Sequence, residues 1–190
     1  MTTSQLNSLA DRLESLDALD PPARTVGRTV RKLIPPGPAK DALSGAWLGH
    51  ALHPLLTDVP IGAWTSSVIL DWAGGRDGRT AADRLLLTGL LAAGATIVTG
   101  WSDWADAEER APELRRSGLA HAATNATATA LMATSYAARK RGERGRGRLL
   151  SLAGSAVLGA GGWLGGHMSY TLGAGVEAAA PAEGTQTAAR

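Results

Sequence analysis

The sequence predicts an all-α protein: a four-helix transmembrane bundle preceded by N-terminal amphipathic helices. Of its 190 residues, 44% are hydrophobic, which is ordinary for a soluble protein. The charges, however, are concentrated in the termini and in three short segments, and the stretches between them are nearly uncharged. Four such stretches each approach the ~20 residues that a membrane-spanning helix needs. Proline and glycine clusters separate them from the N-terminal region.

Residues 1–40 form the predicted N-terminal region. Leucines recur there at spacings of three and four, which is typical of an amphipathic helix. We expect this helix to end at the Asp20-Pro21-Pro22 sequence and to cover apolar surface, with a dimerisation seam as the alternative. The leucines are Leu6, Leu9, Leu13, Leu16 and Leu19.

A second amphipathic stretch covers 23–34. Its apolar side carries Val26, Val30 and Leu33, and basic residues occupy the other side. Basic residues opposite an apolar stripe are typical of a helix lying in the membrane interface. The Pro-rich segment 35–38 then separates this stretch from the rest of the chain.

The membrane domain is predicted over 41–176, followed by a disordered Ala-rich tail at 177–190. Its spans are expected at 55–73, 85–104, 119–138 and 149–172. The third span is the most polar, and its hydroxyls can bond to its own carbonyls or to neighbouring helices. A water-soluble bundle is the alternative, but 85–100 has no charged face. The predicted localisation is therefore the cell membrane, as a multi-pass protein.

The loops predict an orientation. Residues 74–83 and 139–148 are rich in arginine and lysine, as cytoplasmic loops are. The loop at 105–117 mixes acidic and basic residues and is expected outside. The basic N-terminal region would then also lie outside, which conflicts with the rule that basic segments stay in the cytoplasm.

All four histidines fall at one end of this bundle. His50 and His53 precede or begin the first span, His121 begins the third and His167 lies near the end of the fourth. Antiparallel spans bring those positions together, along with Asp103 at the end of the second. Asp71, at the opposite end, is expected to cap a helix or loop.

Imidazoles at a membrane face can act as ligands to a metal or haem iron, or can form structural hydrogen bonds. A haem (haem b) and a transition metal are both compatible with the histidines, and Asp58 and Asp103 are the carboxylates available to a metal. Trp101 and Trp163 could wall a flat cofactor, or belong to a membrane-interface belt.

Other chemistry is disfavoured. The chain has no cysteine, which excludes thiol catalysis and iron–sulfur ligation by this chain. It shows no phosphate-binding loop, no nucleophile elbow and no HExxH sequence. Its positive charge lies beside apolar runs, which favours lipid headgroups and not nucleic acid.

The segments 49–54 (GHALHP) and 57–62 (TDVPIG) resemble the signature of the predicted membrane proteins grouped as domain of unknown function 2231. Ala51 stands where that family usually has proline. Similar matches occur at 99–104, 118–121 and 164–170, so the resemblance covers roughly 26–176. It implies a four-span domain whose polar signature is these histidines. Some relatives are fused to a Rieske iron–sulfur domain, which implies redox work.

The leading hypothesis is a membrane electron-transfer protein that holds haem or a transition metal among the histidines. Its expected partners are the lipid bilayer, a quinol donor and a redox protein in trans, and a homo-oligomer is left open. The alternative is a non-redox scaffold with structural histidines, and a transporter ranks third. Depth in the spans predicts that His53, His121 and His167 are indispensable and that His50 is tolerant.

Overall fold

The computed structural model describes residues 3–175, and within that range the protein is all-α, as predicted. The predicted tail lies outside the described residues. Short 3₁₀ turns at 17–19 and 46–48 join the α-helices. The helices are α1 (Thr3–Glu14), α2 (Asp20–Leu33), α3 (Pro38–Ser44), α4 (Leu52–Ala73), α5 (Gly78–Ala107), α6 (Pro112–Lys140) and α7 (Arg144–Tyr170).

The last four helices form a bundle made of two hairpins. Helix α4 packs along α5 and α6 packs along α7, and contacts of α5 with α6 and of α4 with α7 join the hairpins. Within the described part of the chain, two helices, α5 and α7, are long and apolar enough to cross a membrane. Helices α4 and α6 do not meet this criterion, so four spans stay a prediction.

The apolar surface of the bundle faces outward. Only 33% of the apolar stretch of α5 and 22% of that of α7 is buried inside the protein. A core helix of a soluble protein would bury most of such a stretch. Helix α4 adds to the same exposed apolar surface through Leu55, Val59, Ile69 and Trp72.

The threonine hydroxyls of α6 form hydrogen bonds within the helix itself. Thr124, Thr127, Thr129 and Thr134 each donate to the carbonyl one helical turn earlier, at 2.7–2.9 Å. This outcome was one of the two expected for the polar third span. Because the hydroxyls are already bonded, they cost less in an apolar environment than free hydroxyls would.

The N-terminal helices begin and end differently from the prediction. Helix α1 ends at Glu14, and the Asp20-Pro21-Pro22 sequence begins α2 instead of ending α1. Proline is favoured in the first turn of a helix, where its fixed φ fits and its missing N–H is not needed. The short helix α3, after the Pro-rich break, was not predicted.

Helix α2 packs much of its apolar stripe against protein, so the stripe that predicted a helix in the membrane interface is largely used within the protein. Ala23 is fully buried against Trp104 and Met168, and Val26 packs on the same cluster. Amphipathicity alone does not distinguish a lipid surface from an apolar protein surface. The C-terminal end of the apolar stripe is exposed, since Leu33 is 77% exposed.

Ion pairs fix the N-terminal helices to the histidine end. The guanidinium of Arg116 donates to Asp20 at 2.9 Å, and this bond holds the pKa of the Asp20 carboxyl below its usual value. Arg31 of α2 pairs with Glu108 at 2.9 Å and with Glu109 at 2.8 Å. Helices α1–α3 therefore cover part of this end of the bundle.

A buried ion cluster joins the hairpins at the opposite end. Asp71 bonds to Arg139, and the two side chains are 0% and 1% exposed. Arg144 reaches Asp71 at 3.0 Å, and Asp83 lies 3.0 Å from both arginines. The expectation that Asp71 caps a helix or loop is therefore wrong: it is the centre of an inter-hairpin contact.

Candidate functional site: a cavity at the histidine end

A cavity of about 770 Å³ opens between the two hairpins at the histidine end. It extends from Trp64 and Thr129, well inside the bundle, to Asp106 and Tyr170 at the mouth. Its wall is mostly apolar, and all four bundle helices contribute to it. Its size and lining are typical of sites for small organic ligands and cofactors.

His53, in the first turn of α4, lines this cavity. Its Nδ1 lies 2.9 Å from the carbonyl oxygen of Thr96 on α5. A carbonyl only accepts, so Nδ1 carries the proton and the neutral ring keeps its lone pair on Nε2. That is the tautomer in which histidines bind metals through Nε2, with a backbone carbonyl fixing the ring.

His121 lines the cavity from α6 in the same way. Its Nδ1 lies 2.9 Å from the carbonyl oxygen of Gly161 on α7, so its lone pair is also on Nε2. The amide nitrogen of Asn125 is 3.2 Å from that Nε2 and 2.9 Å from the carbonyl of His121 itself. Helix α6 begins at Pro112, so His121 lies in its third turn, deeper than the predicted span implied.

His50 is not on a helix face with His53. It precedes α4, after Gly49 with φ +76°, and its ring is exposed at the cavity wall. Its Nδ1 contacts the carbonyl of the next residue at 3.2 Å. The two imidazoles therefore do not share a helical face, although they are only three residues apart, because the helix begins at Leu52.

His167 is held by the N-terminal region. Its Nε2 lies 2.6 Å from Oε1 of Glu14 at the end of α1, and its ring stacks on Trp163 with 5.7 Å between centroids. Neither His167 nor Trp163 contributes to the cavity wall. Its position favours a role in docking α1 over a role as a ligand in the cavity.

Tryptophans wall the cavity near its mouth. Trp101 and Trp104 both line it and meet edge to face at 5.4 Å. The indole of Trp104 is buried and donates to the carbonyl of Leu114 at 3.3 Å. Trp101 is thus placed where the sequence-based interpretation of an aromatic wall requires it, whereas Trp163 is not.

The two carboxylates proposed as metal ligands differ in their relation to the cavity. Asp58 is exposed on α4, outside the cavity wall. Asp103 lines the mouth and forms a hydrogen bond with Ser44 of α3. Among the described residues, no three histidine or acidic side chains come together as a group that could hold a metal ion.

Sequence reasoning missed the groups that fix the imidazoles. The carbonyls of Thr96 and Gly161 carry no side-chain signal. The rings rest on Gly100 and Gly165, where an added Cβ would come within 2.7 Å and 3.0 Å of the Cε1 atoms. The available signal is the glycines themselves, because small residues in membrane helices let a neighbouring helix approach closely.

The protein is an all-α bundle of two hairpins with an outward-facing apolar surface and, at one end, a cavity that carries two imidazoles. These features are typical of membrane-associated helical proteins. Residues 49–178 match the family described as "Predicted membrane protein (DUF2231)", and the chain belongs to that family. This confirms the resemblance found in the sequence. No curated protein and no solved structure matches the chain.

Proposed function

We propose that this protein is a four-span membrane protein that binds haem b in the cavity at the histidine end and transfers electrons. The observation that carries the proposal is the pair of imidazoles on one apolar cavity. Both donate Nδ1–H to a backbone carbonyl and keep their lone pair on Nε2, which in His121 the amide of Asn125 would have to release to an iron. A bound haem would supply a one-electron iron couple within the membrane.

The donor set favours haem over a transition metal held by protein ligands alone. A non-haem centre generally needs three or more protein ligands, and the described residues bring no such group together. A haem brings four nitrogens of its own and takes one or two ligands from the protein. The apolar wall and Trp101 suit its flat, largely apolar body.

The protein's part in this chemistry is to bind, orient and shield. The backbone bonds fix both rings, and the apolar wall excludes water from the ligand. Electrons would come from a membrane donor such as a quinol. They would leave to a partner protein in trans, for which the Rieske domain fused to some relatives is the precedent.

Four spans are supported by how the helices pair. Because α4 runs along α5 and α6 along α7, the two less apolar helices lie beside the two that are apolar enough to span. Helix α4 continues the outward apolar surface, and the hydroxyls of α6 are bonded internally. A bilayer would therefore meet apolar side chains on both hairpins.

An absorption spectrum with haem and metal analysis tests the proposal. The full chain is expressed with added haem precursor, purified in detergent and compared before and after reduction. We expect a Soret band, a reduced-state α band and haem in proportion to protein. A colourless, metal-free preparation that also takes up no added haem would refute it.

A non-redox scaffold is the second candidate, favoured by the contact between His167 and Glu14. There a histidine serves only to dock one helix on another, and the remaining histidines could have similar structural roles. This candidate predicts that changing His53 or His121 lowers stability in a protein that never binds haem. The same spectrum therefore separates the two functions.

A further inference from the structure

The two hairpins of the bundle repeat the same interactions. In the first hairpin, the buried hydroxyl of Ser67 on α4 donates to the carbonyl of Ala82 on α5 at 2.7 Å. In the second, the buried hydroxyl of Ser135 on α6 donates to the carbonyl of Gly147 on α7 at 2.6 Å. Each bond joins the first helix of a hairpin to the second, near the end far from the histidines.

The histidines repeat in register with these serines. His53 bonds to Thr96 as His121 bonds to Gly161, both at 2.9 Å. In both hairpins, the histidine and the serine are separated by the same number of residues, and so are the two accepting carbonyls. The same two contacts at the same spacing make the hairpins equivalent along most of their length.

Glycines complete the correspondence. Gly100 and Gly165, each one helical turn after the accepting carbonyl, lie under His53 and His121. In each hairpin a Cβ would collide with the imidazole or force it to shift. Between the histidine and the serine, each hairpin has one more such contact. Trp64 of α4 rests on Gly89 of α5, and Met132 of α6 rests on Gly154 of α7.

Equivalent positions of the two hairpins also meet each other. Asp71 follows Ser67 at the same spacing at which Arg139 follows Ser135, and these two side chains form the buried ion pair. Contact between the same position in two copies is the mark of a twofold-like arrangement. His53 and His121 are therefore related in the same way, and both face the cavity between the hairpins.

We infer that the cavity holds a single haem between the hairpins, with His53 and His121 as its two axial ligands. The inference rests on the proposed function, and it assigns the ligand pair and the coordination state. Two equivalent imidazoles that approach from opposite hairpins suit the two faces of one flat cofactor. With both axial positions filled, the iron is low-spin and has no open position for oxygen.

The other two histidines fall outside the repeat. His167 has its Nε2 on Glu14, and the equivalent position in α5 is Ser102. His50 lies before α4 and is exposed. Neither has the carbonyl of a partner helix behind its Nδ1, so they serve as matched controls within the same protein.

The test compares four single variants of the full chain, purified with haem: His53→Ala, His121→Ala, His50→Ala and His167→Ala. The readouts are haem content and the spin state from electron paramagnetic resonance. We expect the wild type, His50→Ala and His167→Ala to be low-spin. His53→Ala and His121→Ala should each become high-spin or lose haem, and added imidazole should restore the low-spin signal.

Imidazole rescue is scored only on haem that stays with the folded protein during size-exclusion chromatography, because free haem also becomes low-spin in imidazole. A second pair of variants, His53→Gln and His121→Gln, keeps hydrogen-bonding capacity and should still lose the low-spin signal. Wild-type protein with haem that is high-spin, or a low-spin signal lost only in His50→Ala or His167→Ala, would overturn the ligand assignment while leaving haem binding intact. Absence of haem from the wild type would instead count against the proposed function.

Discussion

His53 and His121 differ from the other two histidines in what holds them. Each has a backbone carbonyl of the neighbouring helix at Nδ1 and a glycine of that helix beneath the ring. The glycines let the helices approach closely enough for that contact. The imidazole orientation is thus set by residues that carry no chemistry of their own.

Replacing Gly100 with alanine tests this arrangement. The added Cβ would lie 2.7 Å from Cε1 of His53, so the ring must move and its bond to Thr96 must lengthen. Groups that orient a metal-binding histidine typically contribute about 10–100-fold to affinity. We expect Gly100→Ala to weaken haem binding by about that factor, measured by haem titration of purified protein.

Gly94→Ala on the same helix is the matched control. Nothing lies within 4 Å of a Cβ built there, and alanine is favoured over glycine in a helix by up to about 1 kcal/mol. Haem binding should be unchanged and stability equal or higher. Equal haem affinity in Gly100→Ala and the wild type would contradict the role of the glycine.

At the scale of the elements, the sequence predicted the four apolar helices of the bundle and their order. It predicted where polar residues gather because span order alone brings the histidines to one end. It did not predict the docking of α2 on protein, since an amphipathic stripe fits lipid and protein equally well. It also could not predict that Asp71 and Arg139 pair, because that contact depends on how the hairpins face each other.

The pair Asp71–Arg139 should contribute strongly to stability. Both side chains are buried in a cluster where Asp71 also contacts Arg144, so removing Arg139 leaves the buried carboxylate with one arginine partner instead of two, at a cost of up to about 3–5 kcal/mol. We expect Arg139→Met to lower the free energy of unfolding by about that amount, and Asp71→Leu combined with Arg139→Leu to recover part of it. Thermal unfolding in detergent measures both.

Arg141→Met is the control for that change. Arg141 is near the same end of α6, but its pair with Glu143 is exposed, and such pairs contribute about 0–1 kcal/mol. If Arg141→Met and Arg139→Met destabilise equally, the buried cluster does not join the hairpins as described.

For the whole molecule, the structure reduces the conflict between the basic N-terminal region and the predicted orientation. The N-terminal helices lie at the histidine end, away from the two basic loops. Arg31 is paired with Glu108 and Glu109, so the basic character of this region is partly neutralised. Pairing likewise neutralises Arg139 and Arg144 in the segment 139–148, so the predicted orientation depends on the other basic residues of 74–83 and 139–148.

Reporter fusions test the orientation. A reporter after Gly78 or Gly145 should lie in the cytoplasm, and one near Glu109 should lie outside. The reason is that the segments 74–83 and 139–148, which contain short turns and the helix ends beside them, are the basic ones. The reverse pattern would contradict the orientation. Fusions at Gly78 and Gly145 that lie on opposite sides would contradict the four-span arrangement itself.

The central claim, a haem between the hairpins, is tested most directly by titrating haem into the purified haem-free protein while following tryptophan fluorescence. Trp64, Trp101 and Trp104 line the cavity, so a haem bound there should quench them strongly. We expect quenching to saturate at a single haem per chain, and the double variant His53→Ala/His121→Ala to bind haem much more weakly. Quenching that never saturates, or that is identical in the double variant, would contradict it.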